Sequence, residues 1–278
     1  MQKPPIDVLP LFAELDRLLL ELLRSLTPAD WRHPTLAREW TVQDVAAHLL
    51  DGNLRTLSML RDGHFGTAPP ADTSYAGLVA YLNQLNAAWV RAARRLSPAV
   101  LMAWLAQSGA EYTAYLHTLD PWAPAAFAVA WAGESTSANW FHLAREYTEK
   151  WHHQQQIRAA VGQTSALITP PLFRPFIETL MRGLPHAYRE VPAPAGTRIQ
   201  VVVSSPAGGT WELARTAAGW HLQPPETAAP TARLTLAPDD AWRLFTKGLS
   251  AAEARVRAQV AGDALLATAA LHLVAVMG

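Results

Sequence analysis

Arg145-Glu146-Tyr147-Thr148-Glu149-Lys150-Trp151-His152-His153-Gln154-Gln155-Gln156-Ile157 is the stretch whose reading decides how this chain is built. Around it the residues recur at helical spacing in two stripes. Asn139, His142, Glu146, Glu149, His153 and Gln156 advance by threes and fours along one face; Trp140, Leu143, Tyr147 and Trp151 line the opposite one. The pattern predicts one helix from about Ser137 to Val161, stopped at Gly162. Glu149 precedes His153 by one turn, so both side chains cover the same patch of helix. Two readings fit. The aromatic stripe packs in a bundle while the polar stripe faces solvent, or the polar stripe lines a site. Glu-x-x-x-His arises often by chance and does not separate them.

Upstream, the run Glu39-Trp40-Thr41-Val42-Gln43-Asp44-Val45-Ala46-Ala47-His48-Leu49-Leu50 opens an earlier helix at Thr41. Asp44, three residues on, makes an acidic variant of the capping box. His48 lies at the edge of the stripe of Val42, Val45, Leu49 and Leu60, where a half-buried structural histidine would be ordinary. Asp44 either orients the second ring nitrogen of His48 or only caps the helix. His48, Glu149 and His153 together would supply two imidazoles and a carboxylate. Such a set leaves a coordination position for water or substrate, the mark of catalytic rather than structural zinc.

The rest of the first 160 or so residues is also helical in pattern. Leu11, Leu15, Leu18, Leu19 and Leu22 predict a helix over Asp7 to Ser25, and the Thr41 helix runs to about Arg61, before Asp62-Gly63. Further helices are expected from Tyr75 to Leu96 and from Pro98 to about Leu119, with a break at Pro121-Trp122-Ala123-Pro124. Long helices with short connections predict a four- or five-helix bundle. After Gly162 the style changes. A helix over Pro171 to His186 precedes short β-rich runs at Arg198-Val203, Thr210-Arg215, Trp220-Gln223 and Ala232-Leu236. Asp239 to Lys247 is expected helical, Arg255-Val260 extended, and Asp263 to Met277 a closing helix. The expected organisation is therefore a helical bundle over residues 1–165 and a smaller α+β domain, its sheet mainly antiparallel, over residues 166–278.

Bulk properties exclude several classes. With 23 basic against 23 acidic residues and no run of like charge, the chain lacks the electrostatic footprint of a nucleic-acid binder. The apolar Met1 to Leu26 segment carries Asp7, Glu14, Asp16, Arg17, Glu21 and Arg24, charges that neither a signal-peptide core nor a membrane span tolerates. The expectation is a cytoplasmic protein with no membrane partner. Cysteine is absent, so any metal must be held by His, Asp and Glu, and any thiol chemistry needs a thiol from outside.

The layout resembles the DinB-like helical bundles, and in particular the metal-binding domain of the mycothiol-dependent maleylpyruvate isomerases. In that family a Trp-Thr/Ser-Val-x-Asp-Val-x-x-His-Leu segment supplies the first metal ligand, matched here by Trp40 to Leu49. A later Glu-x-x-x-His supplies the other two, matched by Glu149 and His153, and His152-His153-Gln154-Gln155-Gln156-Ile157 is similar to the His-His-x-x-Gln-Ile signature of the wider superfamily. The His-Gly-Trp-Asp wording common in the isomerases is missing from this helix. The tail, notably Leu234 to Leu244 and Val260-Ala261-Gly262-Asp263, is similar to sterol-carrier-protein folds that follow the bundle in such proteins.

The resemblance implies a divalent metal on His48, Glu149 and His153, zinc by preference or nickel, and an exogenous low-molecular-weight thiol of the mycothiol or bacillithiol type. The implied activity is a thiol-dependent S-transfer or isomerisation of a small electrophile. Arg233 and Arg243 are candidates for a substrate carboxylate or the thiol cofactor, Asn139 and Gln156 for hydrogen bonds to the bound molecules, and a homodimer is compatible with the superfamily. Two alternatives stand beside it: a metal-dependent hydrolase of a small amide or ester with Glu146 as general base, and a non-enzymatic protein binding a small apolar ligand in its second domain.

Overall fold

The structure, a computed structural model, describes residues 3–37 and 39–276. They form two compact units: one comprises the chain up to Phe127 together with Ser137–Thr164, the other Ala128–Thr136 together with Ser165–Val276.

The first unit is built on five helices, α1 (Phe12–Ser25), α2 (Val42–Thr56), α3 (Tyr75–Ala93), α4 (Pro98–Leu116) and α5 (Asn139–Ala160). α2 packs against α3, α4 and α5, and α1 against α4 and α5. Leu15, Leu19 and Leu22 of the leucine stripe are buried in α1 while Leu11 and Leu18 are half-buried, and Val42, Val45, Ala46, Leu49 and Leu50 of α2 enter the core with Leu19 and Leu22. Beyond Thr56 the α2 helix widens into a π-turn over Leu57–Arg61, ending where Asp62-Gly63 was expected to stop it.

Asp44 settles as a cap. Its carboxylate accepts from the Thr41 backbone N–H and hydroxyl, each at 3.0 Å, while the Thr41 hydroxyl accepts from the Asp44 N–H. Arg94, at the C-cap of α3, grips the same carboxylate with Nε at 2.9 Å and Nη2 at 3.1 Å. This places an acid at a helix N-terminus and a base at a helix C-terminus, the favourable sense for both helix dipoles.

Two mid-helix glycines have different explanations. Gly109 of α4 passes so close to α1 that a Cβ there would lie 2.7 Å from Asp16 Oδ2. At Gly52 of α2 a Cβ would meet nothing within 4 Å, although glycine in a helix interior costs about 0.5–1 kcal/mol relative to alanine.

Of the two readings of α5, the solvent-facing one fails. Asn139, His142, His153 and Gln156 of the polar stripe are buried and Glu146 and Glu149 half-buried, and Lys150, His152, Gln154, Gln155 and Arg158 are buried as well. Arg158, near the end of α5, donates to the Leu18 carbonyl at 3.1 Å. Burial of so polar a helix requires internal partners. Lys150 finds Asp16 at 2.8 Å, His152 Nδ1 bonds the Thr148 carbonyl at 2.8 Å, and the Gln155 amide donates to the Thr164 carbonyl at 2.8 Å.

The second unit carries a five-stranded sheet in the order β3-β2-β1-β4-β5. β1 (Arg198–Val203), β2 (Gly209–Thr216) and β3 (Gly219–Gln223) form an antiparallel meander; β4 (Ala232–Leu236) returns parallel to β1, and β5 (Gln259–Gly262) closes antiparallel to β4. The helix expected over Pro171 to His186 is split into α6 (Pro170–Met181) and α7 (Leu184–Ala187). Arg255-Val260 is only partly extended. A capping box of Ser250 with Glu253 starts α9 (Ala251–Arg257), which follows α8 (Pro238–Phe245), and the strand begins at Gln259. The closing segment is shorter than expected: α10 (Ala264–Ala269) and a 3-10 turn over Ala270–His272, with Met277 outside the described residues. Among the described residues no helix is long and apolar enough to cross a membrane.

Burial alone would raise the Asp44 carboxyl, but Arg94 and the Thr41 donors outweigh it and hold it below 3.8. A group depressed in the folded state stabilises above its unfolded value and loses that contribution as pH falls through the folded one. Asp44→Ala is therefore expected to lower the unfolding free energy by about 1 kcal/mol near neutral pH. The gap between the two proteins should close in acid, as followed by urea denaturation across a pH series.

Candidate metal centre

α2 and α5 bring three side chains to one point. One potential ligand atom from each of His48, Glu149 and His153 lies within 4.8 Å of the others. His153 Nε2 stands 3.5 Å from Glu149 Oε2, and the His48 and His153 rings meet edge to face with centroids 4.5 Å apart. Trp40 backs His48 at 4.9 Å between ring centroids.

The orientation of His153 is fixed from behind. Its Nδ1 donates to Gln156 Oε1 at 2.9 Å, one turn on, which sets the tautomer and leaves Nε2 as the bare lone pair. His48 keeps a buried Nδ1 with no hydrogen-bond partner, which is costly unless some ligand uses the ring. Burial, reinforced by neighbouring His153, pushes the His48 imidazole well below 6.5, and burial takes His152 down to about 4. For Glu149 burial acts upward, but His152, His153 and His48 outweigh it and bring the carboxyl to about 2. The site thus holds an ionised Glu149 carboxylate beside a His48 imidazole pushed toward the neutral form, the form in which each ligates a metal.

A cavity of about 40 Å³ opens on these residues, bounded also by Gly52, Asn53, Tyr112, Glu146 and Lys150. It has room for an ion-bound water or the reacting end of a ligand. Two nitrogens and one carboxylate oxygen fit zinc, and would also accept nickel, cobalt or iron.

The remaining expected residues are placed as follows. Glu146 borders the cavity, but its oxygens accept from the Tyr112 hydroxyl at 2.9 Å and Arg145 Nη2 at 3.2 Å. Burial would raise its carboxyl; His142, Arg145 and Tyr112 hold it below 4.5. Asn139, in the first turn of α5, donates to the Asp120 carbonyl at 2.9 Å and so ties down the preceding loop. Gln156 is spent on His153. Arg233 on β4 donates to Gln200 Oε1 at 3.0 and 2.8 Å, and Arg243 on α8 pairs with Asp239 at 3.0 Å, both within the second unit. Lys150, Asn53 and Gly52 were not foreseen as site residues. Lys150 carried a signal, since Glu146, Lys150 and His153 follow one another at helical steps of four and three.

The family described as "Mycothiol maleylpyruvate isomerase N-terminal domain" matches residues 12–158, more than half of the chain and all three clustered residues. No curated protein matches the chain in sequence. Two crystal structures share its fold. The mycothiol-dependent maleylpyruvate isomerase is 14% identical with a TM-score of 0.51, covering 85% of this chain and 88% of its own. A histidine-to-alanine mutant of that isomerase is also 14% identical at a TM-score of 0.51, covering 87% and 90%. The chain belongs to the mycothiol maleylpyruvate isomerase N-terminal domain family.

Proposed function

We propose that the protein is a metal-dependent enzyme that activates a low-molecular-weight thiol, of the mycothiol type, for transfer to or isomerisation of a small electrophile. The observation that carries this reading is the convergence of His48 with Glu149 and His153 from two helices far apart in sequence, with the His153 tautomer fixed by Gln156. Membership of the mycothiol maleylpyruvate isomerase N-terminal domain family supports the same reading. A divalent ion bound there would act as a Lewis acid, lowering the pKa of a sulfur or water brought to it.

The chain's own residues do the rest. Glu149 contributes the one negative charge of the ligand set, and the two imidazoles add none, so a bound dication keeps net positive charge for an incoming anionic sulfur. At the cavity wall the Tyr112 hydroxyl of α4 donates to Glu146 of α5, and Arg145 bonds both Glu146 and His142 behind it. With no cysteine in the chain, the sulfur has to arrive on a separate molecule. Hydrolysis with Glu146 as general base has less support, because a depressed carboxylate already bonded to Tyr112 and Arg145 is a poor proton acceptor near neutrality.

Elemental analysis of the purified protein should find about one zinc or nickel per chain, lost in His153→Ala, and turnover of maleylpyruvate by the parent should require added thiol. Turnover without thiol, or an absence of metal after zinc is supplied, would overturn the reading. Gln156→Leu is expected to weaken zinc binding about 10–100-fold in chelator competition at an unchanged thermal midpoint. Gln156→Glu, which keeps an acceptor for His153 Nδ1, should restore most of the affinity.

A further inference from the structure

Gly52 is the one feature of the cavity that packing does not explain. At Gly109 a Cβ would crowd Asp16 Oδ2 at 2.7 Å, whereas the Cβ of residue 52 would enter open space. Its backbone is not left-handed either, so neither conformation nor crowding calls for glycine in the middle of α2. Yet Gly52 borders the cavity, four residues after His48. Helical side chains lean toward the preceding turn, so any side chain at this position would lie across His48.

The other walls are held in place. Tyr112 is bonded to Glu146, Lys150 to Asp16, and Asn53 to Ser108 at 3.1 Å. At about 40 Å³ the cavity is far smaller than the roughly 300–1,000 Å³ of sites that engulf a small molecule. A ligand can therefore place its reacting end inside and must carry its remaining bulk across the opening.

We infer that Gly52 is the access position of this centre: its missing side chain leaves the opening over which a low-molecular-weight thiol lies while its sulfur reaches the His48, Glu149 and His153 ligand set. The inference rests on the thiol reading above. It assigns to Gly52 a part in selecting ligands by bulk next to the sulfur, and none in holding the metal.

The test uses the full-length protein loaded with cobalt, in which sulfur ligation is read from the absorption spectrum. The probes are hydrosulfide, with no bulk to place outside, and N-acetylcysteine. Gly52→Ala and Gly52→Leu should bind cobalt and hydrosulfide as the parent does. N-acetylcysteine affinity should fall in the order parent, Ala, Leu, by about tenfold or more for Gly52→Leu. The thermal midpoint of Gly52→Ala should stay level or rise by about 2 °C, which separates loss of access from loss of fold. Equal N-acetylcysteine affinity in parent and Gly52→Leu overturns this inference alone. Loss of cobalt or hydrosulfide binding in both variants also overturns it, because position 52 would then act on the ligand set itself. A cobalt-loaded parent that responds to neither probe overturns the thiol reading and this inference with it.

Discussion

Burying a helix as polar as α5 is possible only when its side chains find partners inside the bundle, and much of the first unit serves that requirement. Each unpartnered buried polar group would cost about 1–3 kcal/mol. Asp16 and the Leu18 carbonyl on α1 face Lys150 and Arg158, and Tyr112 on α4 faces Glu146. These bonds fix the rotation of α5 about its own axis. Rotation in turn decides that Glu149 and His153 meet His48 rather than water. The desolvation that makes the arrangement costly also pushes His48 and His152 toward the neutral imidazole, so one constraint bears on both the geometry and the charge of the cluster.

The sequence made the helices and the three clustered residues legible for different reasons. Apolar spacing located α1 and α2, and Pro98 and Gly162 marked ends that the structure keeps to within a few residues. The cluster was legible through family wording at Trp40 to Leu49 and at Glu149 and His153. Periodicity alone could not have chosen it, because a stripe of polar residues has the same spacing whether it faces solvent or a polar interior. Gln156 illustrates a finer limit: position on the ligand face suggested contact with bound molecules, while in three dimensions its amide oxygen is taken by His153.

In the second unit the β-rich runs between Arg198 and Leu236 pair as strands, while local signals compete further on. Ser250 and Glu253 spell a capping box and β-branched Val256 and Val260 spell a strand; the box prevails up to Arg257. Arg233 shows how a charge can be absorbed by structure. It feeds a buried chain in which Gln200 passes an amide hydrogen to Glu212, a fully buried carboxylate that Gln223 and Arg198 also approach. Burial would raise that carboxyl, and these donors hold it below 4.5. No single residue in the chain announces such a network, because its members sit on four different strands.

The order β3-β2-β1-β4-β5 leaves two strands with a free edge, and a free edge offers unpaired N–H and C=O groups to any passing chain. β5 spans only Gln259–Gly262, with Val256 and Leu265 on either side of it 87% and 86% exposed, an apolar invitation beside a very short template. β3 runs directly into Pro224-Pro225, and neither proline has an N–H to give an incoming strand. An intruding strand thus finds a long run of donors on neither side. The sheet stays open without becoming a seed for edge-to-edge growth, so brevity and proline do here what closure does in a barrel.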